Sequence, residues 1–139
     1  MKFLLGLVCG VLIALGMSGR AQVSISVFGI SKHSERGYCE KNPGLAINYH
    51  LAPDLRVQAG FYKNSLCERS NAVALPWCFA HFGPFCTGLA PIVVTGYAPR
   101  AEFVMLPIAS YEQKSFAVDA IGALWDSKWV IGLGLRFPI

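Results

Sequence analysis

The feature that most constrains this chain is a period of two. Leu45, Ile47, Tyr49 and Leu51 alternate with Ala46, Asn48 and His50. Leu55, Val57, Ala59 and Phe61 alternate with Arg56, Gln58, Gly60 and Tyr62. Trp129, Ile131, Leu133, Leu135 and Phe137 alternate with Val130, Gly132, Gly134 and Arg136. Successive side chains of a strand point to opposite faces, so each run has one apolar face and one polar or small one.

Composition decides what the apolar faces meet. Hydrophobic residues make up 54% of the chain and charged residues only 14%, with mean hydropathy +0.46. A soluble domain carries about 25% charged residues. A soluble sandwich also alternates, but its solvent face needs more charge than this chain has. Lipid outside and a lumen inside satisfy both observations. The same apolar content excludes disorder. The formal net charge is +4 without any Lys/Arg run, which gives a nucleic-acid face no support. A spanning helix is a poor fit. The stretch 71–99 has no Asp, Glu, Lys or Arg, but it contains Pro76, Pro84, Pro91 and Pro99. Each interior proline costs a helix about 3 kcal/mol.

The chain opens with Lys2, an apolar run from Phe3 to Met17, and then small residues at Gly19 and Ala21. These are the three parts of a secretory signal, with cleavage expected after Ala21. Residues 1–21 are read as signal peptide and 22–139 as one outer-membrane β-barrel domain. The fold expected is all-β, an eight-stranded antiparallel transmembrane barrel. Its strands are placed near 22–30, 44–51, 55–63, 71–78, 85–94, 101–110, 115–122 and 129–138. Short connections fall at 52–54, 81–84 and 111–114, and longer ones at 31–43, 64–70, 95–100 and 123–128. Such barrels keep short turns in the periplasm and longer loops outside. Trp77, Trp129, Tyr49, Tyr97 and Tyr111 stand near strand ends, where aromatic girdles belong.

The inward register includes Gly60, Gly88, Ala90, Ile92, Val130, Gly132 and Gly134. These small or apolar residues leave room for a single lipid chain in an eight-stranded barrel. Arg56, Asp119 and Arg136 are expected as a paired-charge plug nearer the periplasmic end. Pro76, Pro91 and Pro107 cannot donate to a ladder, so they imply either gaps in the wall or bulges. Beyond Cys9, in the leader, four cysteines remain: Cys39, Cys67, Cys78 and Cys86. Three pairings are possible, and 39–67 with 78–86 is the expected one. No phosphate loop, dinucleotide fingerprint or zinc spacing occurs, so no cofactor and no metal are expected.

Three short segments carry a resemblance. The first loop begins Ile30, Ser31, Lys32, His33 and continues through Tyr38 to Asn42, Pro43, Gly44 and Leu45. The second begins Gly60, Phe61, Tyr62, Lys63, Asn64, Ser65, and farther on comes Leu106, Pro107, Ile108, Ala109, Ser110, Tyr111. Together they resemble the outer-membrane lipid A palmitoyltransferase (PagP) family. That family is an eight-stranded barrel that moves a palmitoyl chain from a phospholipid onto lipid A. The resemblance implies a catalytic set of His33, Asn64 and Ser65, with Asn64 standing where the family has Asp. His33 would act as general base on a lipid A hydroxyl, while Asn64 and Ser65 donate hydrogen bonds to the ester oxygen. It implies a monomer in the bacterial outer membrane, with a phospholipid donor and lipid A acceptor. In that family, gaps at wall prolines admit lipid from the side. The alternative is a non-catalytic small outer-membrane barrel, structural or surface-interacting, that kept the fold and lost the activity.

Overall fold

The computed structural model describes residues 23–139. The expected signal peptide at 1–21 lies outside the described residues. Among the described residues the chain forms nine strand segments: β1 (Val23–His33), β2 (Lys41–Ala52), β3 (Leu55–Lys63), β4 (Arg69–Ala74), β5 (Trp77–Phe82), β6 (Phe85–Val94), β7 (Glu102–Glu112), β8 (Ala117–Trp125) and β9 (Lys128–Pro138). Neighbours pair antiparallel all the way round, and the β1–β9 and β2–β3 ladders close the ring. Segments β4 and β5 are two halves of one barrel strand, so the wall counts eight strands. Closure leaves no strand without a partner on each side, which is what lets a β-structure cross a bilayer.

Pro76 explains the split strand. The β4–β6 ladder stops at Ala74 opposite Ile92, and the β5–β6 ladder restarts at Trp77 opposite Leu89. Pro76 and Pro91 both fall within this break, and neither can donate to a neighbour. One backbone bond bridges it, from Leu75 N to Pro91 O at 2.9 Å, and on the β3 side Arg56 N donates to Pro76 O at 3.1 Å. The strand expected at 71–78 therefore runs on to Phe82 as two pieces.

Two expected loops need correction. The first outer connection is 34–40, shorter than the expected 31–43, because β1 and β2 extend into it. The connection expected at 123–128 is a two-residue turn at Asp126 and Ser127, with φ of 43° and 63°. Both residues are in the left-handed region, as this class of hairpin turn requires. The usual sequence signal for it, Asn-Gly or Asp-Gly, is missing here.

Alternation sets the two faces. Leu45, Ile47, Val73, Phe103, Met105, Ile131, Leu133 and Leu135 point out and are exposed. The ion pairs Lys32–Glu40 and Lys128–Glu35 stand at the outer end of the wall, and His81–Asp54 at the opposite end. An apolar belt bounded by charge at both rims matches a hydrocarbon layer between two headgroup regions. The lumen has two unlike halves. Along β1–β3, buried Asn48 donates to Ser26 Oγ at 2.9 Å and Gln58 donates to the same oxygen at 3.2 Å. Across from them, Ala74, Ala90, Ile92, Val94 and Ile108 form the apolar core cluster.

Candidate functional site

Both outer loops that carry candidate residues are held by local chemistry. The loop 64–68 is built on Asn64, which is fully buried. Its side-chain oxygen accepts from Leu66 N at 2.9 Å and Glu68 N at 3.0 Å. Its amide donates to Ser70 Oγ at 3.0 Å and to Gly96 O at 2.9 Å. The second bond fixes this loop to the next one. Gly96 has φ +93°, and a Cβ there would lie 2.6 Å from Arg69 O and 3.1 Å from the Asn64 amide nitrogen. Only glycine fits.

The Cys39–Cys67 disulfide then ties loop 34–40 to loop 64–68. Beside it, Cys39 N donates to Ser65 O at 2.8 Å. The result brings Ser65 against the end of β1: His33 Nε2 and Ser65 Oγ are 2.8 Å apart. Tyr38 stacks on the imidazole, with ring centroids 4.8 Å apart and planes inclined by 17°. The second disulfide, Cys78–Cys86, joins β5 to β6 with both residues buried.

His33 lies beyond the apolar belt, at the level of the Lys32–Glu40 ion pair. Burial lowers its pKa below the ordinary 6.5; Glu40 pulls it back up, and Lys32 pushes it further down. The Lys32 hydrogen bond in turn holds the Glu40 carboxyl below its usual range. A neutral imidazole beside a hydroxyl is the combination that general-base chemistry needs. Oγ donates to Nε2 when the ring proton is on Nδ1. His33 Nδ1 is buried and meets no hydrogen-bond partner among the described residues.

His33, Tyr38 and Ser65 line the mouth of the lumen cavity, whose volume is about 520 Å³. That falls in the range of small-ligand sites, about 300–1,000 Å³. Its wall includes the expected Gly60, Ala90, Ile92, Val130, Gly132 and Gly134. Its floor is polar. Arg136 Nε donates to Asp119 Oδ2 at 2.9 Å, Arg56 donates to the same oxygen at 3.3 Å, and Ser110 donates to Oδ1. Arg136 also reaches Glu112 at 2.9 Å.

The cavity also reaches the side of the barrel. Pairing between β7 and β8 covers only Ile108–Glu112 and Ala117–Ile121. Above it, Glu102–Pro107 and Gly122–Trp125 make no ladder with each other. Pro107 begins this unpaired stretch. The cavity lining runs from inward-facing Leu106 and Ile121 to outward-facing Ala120, Gly122 and Leu133 beside it.

His33 and Ser65 are thus brought together, and Asn64 is not. Both amide hydrogens of Asn64 are spent inside the loop, so the oxyanion-donor role expected for it has no free donor. Its contribution is to shape the loop that presents Ser65. Tyr38 was missed as a site residue, because its contact depends on how loop 34–40 folds back. Among the described residues no group of three or more His, Cys, Asp or Glu side chains is placed to hold a metal.

Replacing Asn64 by Asp keeps the size and removes both donors. It also sets a carboxylate oxygen against Gly96 O. Asn64→Asp and Asn64→Ala are each expected to destabilise the barrel by about 1–3 kcal/mol, since buried partners are left unsatisfied. Urea unfolding in lipid vesicles measures this. An Asn64→Asp protein as stable as the parent would contradict the loop role.

No family model matches this sequence. No curated protein matches it either. Solved structures do match in fold. One is a designed transmembrane β-barrel from work on de novo design, with TM-score 0.64 and 10% identity, covering 88% of this chain and 98% of that one. Another is the N-terminal β-barrel domain of Pseudomonas aeruginosa OprF, with TM-score 0.51 and 18% identity, covering 88% of this chain and 100% of that domain. At such identities the likeness speaks for the fold alone. With the closed wall and its apolar belt, it makes this chain an eight-stranded β-barrel of the outer-membrane type.

Proposed function

We propose that this barrel sits in a bacterial outer membrane, takes a lipid acyl chain into its lumen, and transfers that chain to lipid A through His33 and Ser65. The observation that carries the reading is the 2.8 Å contact between His33 Nε2 and Ser65 Oγ at the mouth of a cavity with one apolar wall. Placing a base against a hydroxyl is the first requirement of acyl transfer.

The proposed steps use the two side chains at the mouth in turn. A phospholipid chain slides through the unpaired β7–β8 stretch and lies against Ile92, Val94 and Ile108, with its ester near the outer mouth. His33 Nε2 takes the Ser65 proton as Oγ attacks the ester carbonyl. The lysophospholipid alkoxide leaves with that proton, and the acyl group remains on Ser65. A lipid A hydroxyl, deprotonated by His33, then attacks the acyl-serine and regenerates Ser65. This differs from the role implied by family resemblance, in which Ser65 only donates a hydrogen bond. The direct contact with the base favours the nucleophile role.

The second reading is a barrel without catalysis, and specific observations favour it. His33 Nδ1 has no carboxylate to orient it, and Asn64 is committed elsewhere. The comparisons reach only the fold, which is all that this reading requires, so they support it better than the catalytic one. Mass spectrometry of lipid A from cells expressing the protein separates the two. A palmitate-sized gain is expected. Unchanged lipid A from a correctly folded barrel would leave the non-catalytic reading standing.

A further inference from the structure

A separate feature lies on the outer surface of the wall. Lys63 and Arg69 are direct partners across the β3–β4 ladder. Gly44 pairs with Tyr62, so Lys41 and Pro43 continue the outward face of Leu45 beside Lys63. Three cations, Lys41, Lys63 and Arg69, thus form a row at the outer rim of β2–β4. The Arg69 guanidinium lies 5.0 Å over the Phe61 ring, held against the wall. Pro43, Phe61, Lys63, Cys67 and Arg69 share one shallow groove.

This row differs from the rest of the rim. Lys32 and Lys128 are neutralised by Glu40 and Glu35. Lys41, Lys63 and Arg69 take part in no ion pair recorded among the described residues. Two acids adjoin the row in sequence: Glu40, beside Lys41, is held by Lys32, and Glu68, beside Arg69, is exposed. Immediately below the row, Leu45, Ile47, Phe61 and Val73 are exposed on the same face. Three cations with net positive charge, set directly above an apolar belt on the membrane side, match one kind of occupant. It has acyl chains beneath and a phosphate at the headgroup level. Arginine supplies a fork for phosphate oxygens, and the lysines supply point charges.

We propose that this row docks the phosphate-bearing headgroup of an anionic lipid of the outer leaflet, gripping it from the membrane side. The site is nearly across the barrel from the β7–β8 opening, and it stands whether or not His33 and Ser65 are active.

The test uses the folded full-length protein in detergent, with native mass spectrometry of bound lipid. Phosphatidic acid is compared with diacylglycerol of the same chains. Phosphatidic acid is expected to be retained and diacylglycerol lost. In a Lys41→Gln, Lys63→Gln, Arg69→Gln triple variant, retention should fall by about tenfold or more. It should be unchanged in a Glu35→Gln, Lys128→Gln control at another part of the rim. Slower migration after heating confirms folding of each protein. If the triple variant fails to fold, Lys63→Gln and Arg69→Gln singly should each reduce retention severalfold. Equal retention of both lipids, or of phosphatidic acid by parent and variants, overturns the proposal. So does complete displacement of the lipid by millimolar inorganic phosphate, which would mark a simple anion site.

Discussion

Ser65→Ala and His33→Ala are each expected to lower acyl transfer by about 10²–10⁴-fold while leaving the barrel folded. The two side chains sit at the mouth, outside the apolar belt, and neither belongs to the core cluster. The fall comes from the chemistry: without Oγ there is no acyl acceptor, and without Nε2 nothing removes its proton. The double variant should be no worse than either single one, because the two act as a unit. Burial holds the His33 pKa below its ordinary 6.5, so the base stays neutral into mildly acidic solution. The rate should therefore be flat above about pH 6.5 and fall only below it, as His33 takes up a proton. Radiolabelled acyl transfer from phospholipid vesicles, measured from pH 4.5 to 8, reads both effects. Full activity in Ser65→Ala would dismiss the nucleophile role, and a midpoint above 6.5 would contradict the burial argument.

Asp119→Ala should be the most destabilising single change in the lumen, by about 3–5 kcal/mol. Asp119 accepts from Arg56, Arg136 and Ser110 at once. Removing it leaves two guanidinium groups facing each other inside the barrel without the carboxylate between them. Glu112→Gln touches the same Arg136, but its side chain is 45% exposed. A partner so open to water contributes at most about 1 kcal/mol. The contrast between the variants is the informative quantity, read by urea unfolding in lipid vesicles. Equal losses would mean that the floor cluster is a set of independent surface pairs.

Much of the wall was legible because it depends on local pattern. The alternations at 45–51, 55–62 and 129–137 assign faces residue by residue, and one frame error would have inverted them. What escaped the sequence depends on distant neighbours. Asn64 looks like a site residue until Gly96, far along the chain, is seen to take one of its amide hydrogens. Pro76 and Pro91 mark a fault in the wall, but not the backbone bonds, from Leu75 to Pro91 and from Arg56 to Pro76, that carry the strand past it. The tight turn at Asp126 and Ser127 lacks the glycine that usually signals it. His33 and Ser65 were singled out by resemblance alone. Their contact depends on a disulfide, a backbone bond from Cys39 and a buried asparagine, none of which alternation can express.

The two unlike halves of the lumen have a consequence for any guest. Asn48 and Gln58 spend their donors on Ser26, so that flank is polar but already satisfied. A chain in the cavity would gain about 25 cal/mol per Å² where it covers Ala90, Ile92, Val94 and Ile108, and little where it covers the polar flank. The lumen is thus sided: it favours one seat for a guest along the strands rather than a free choice of walls.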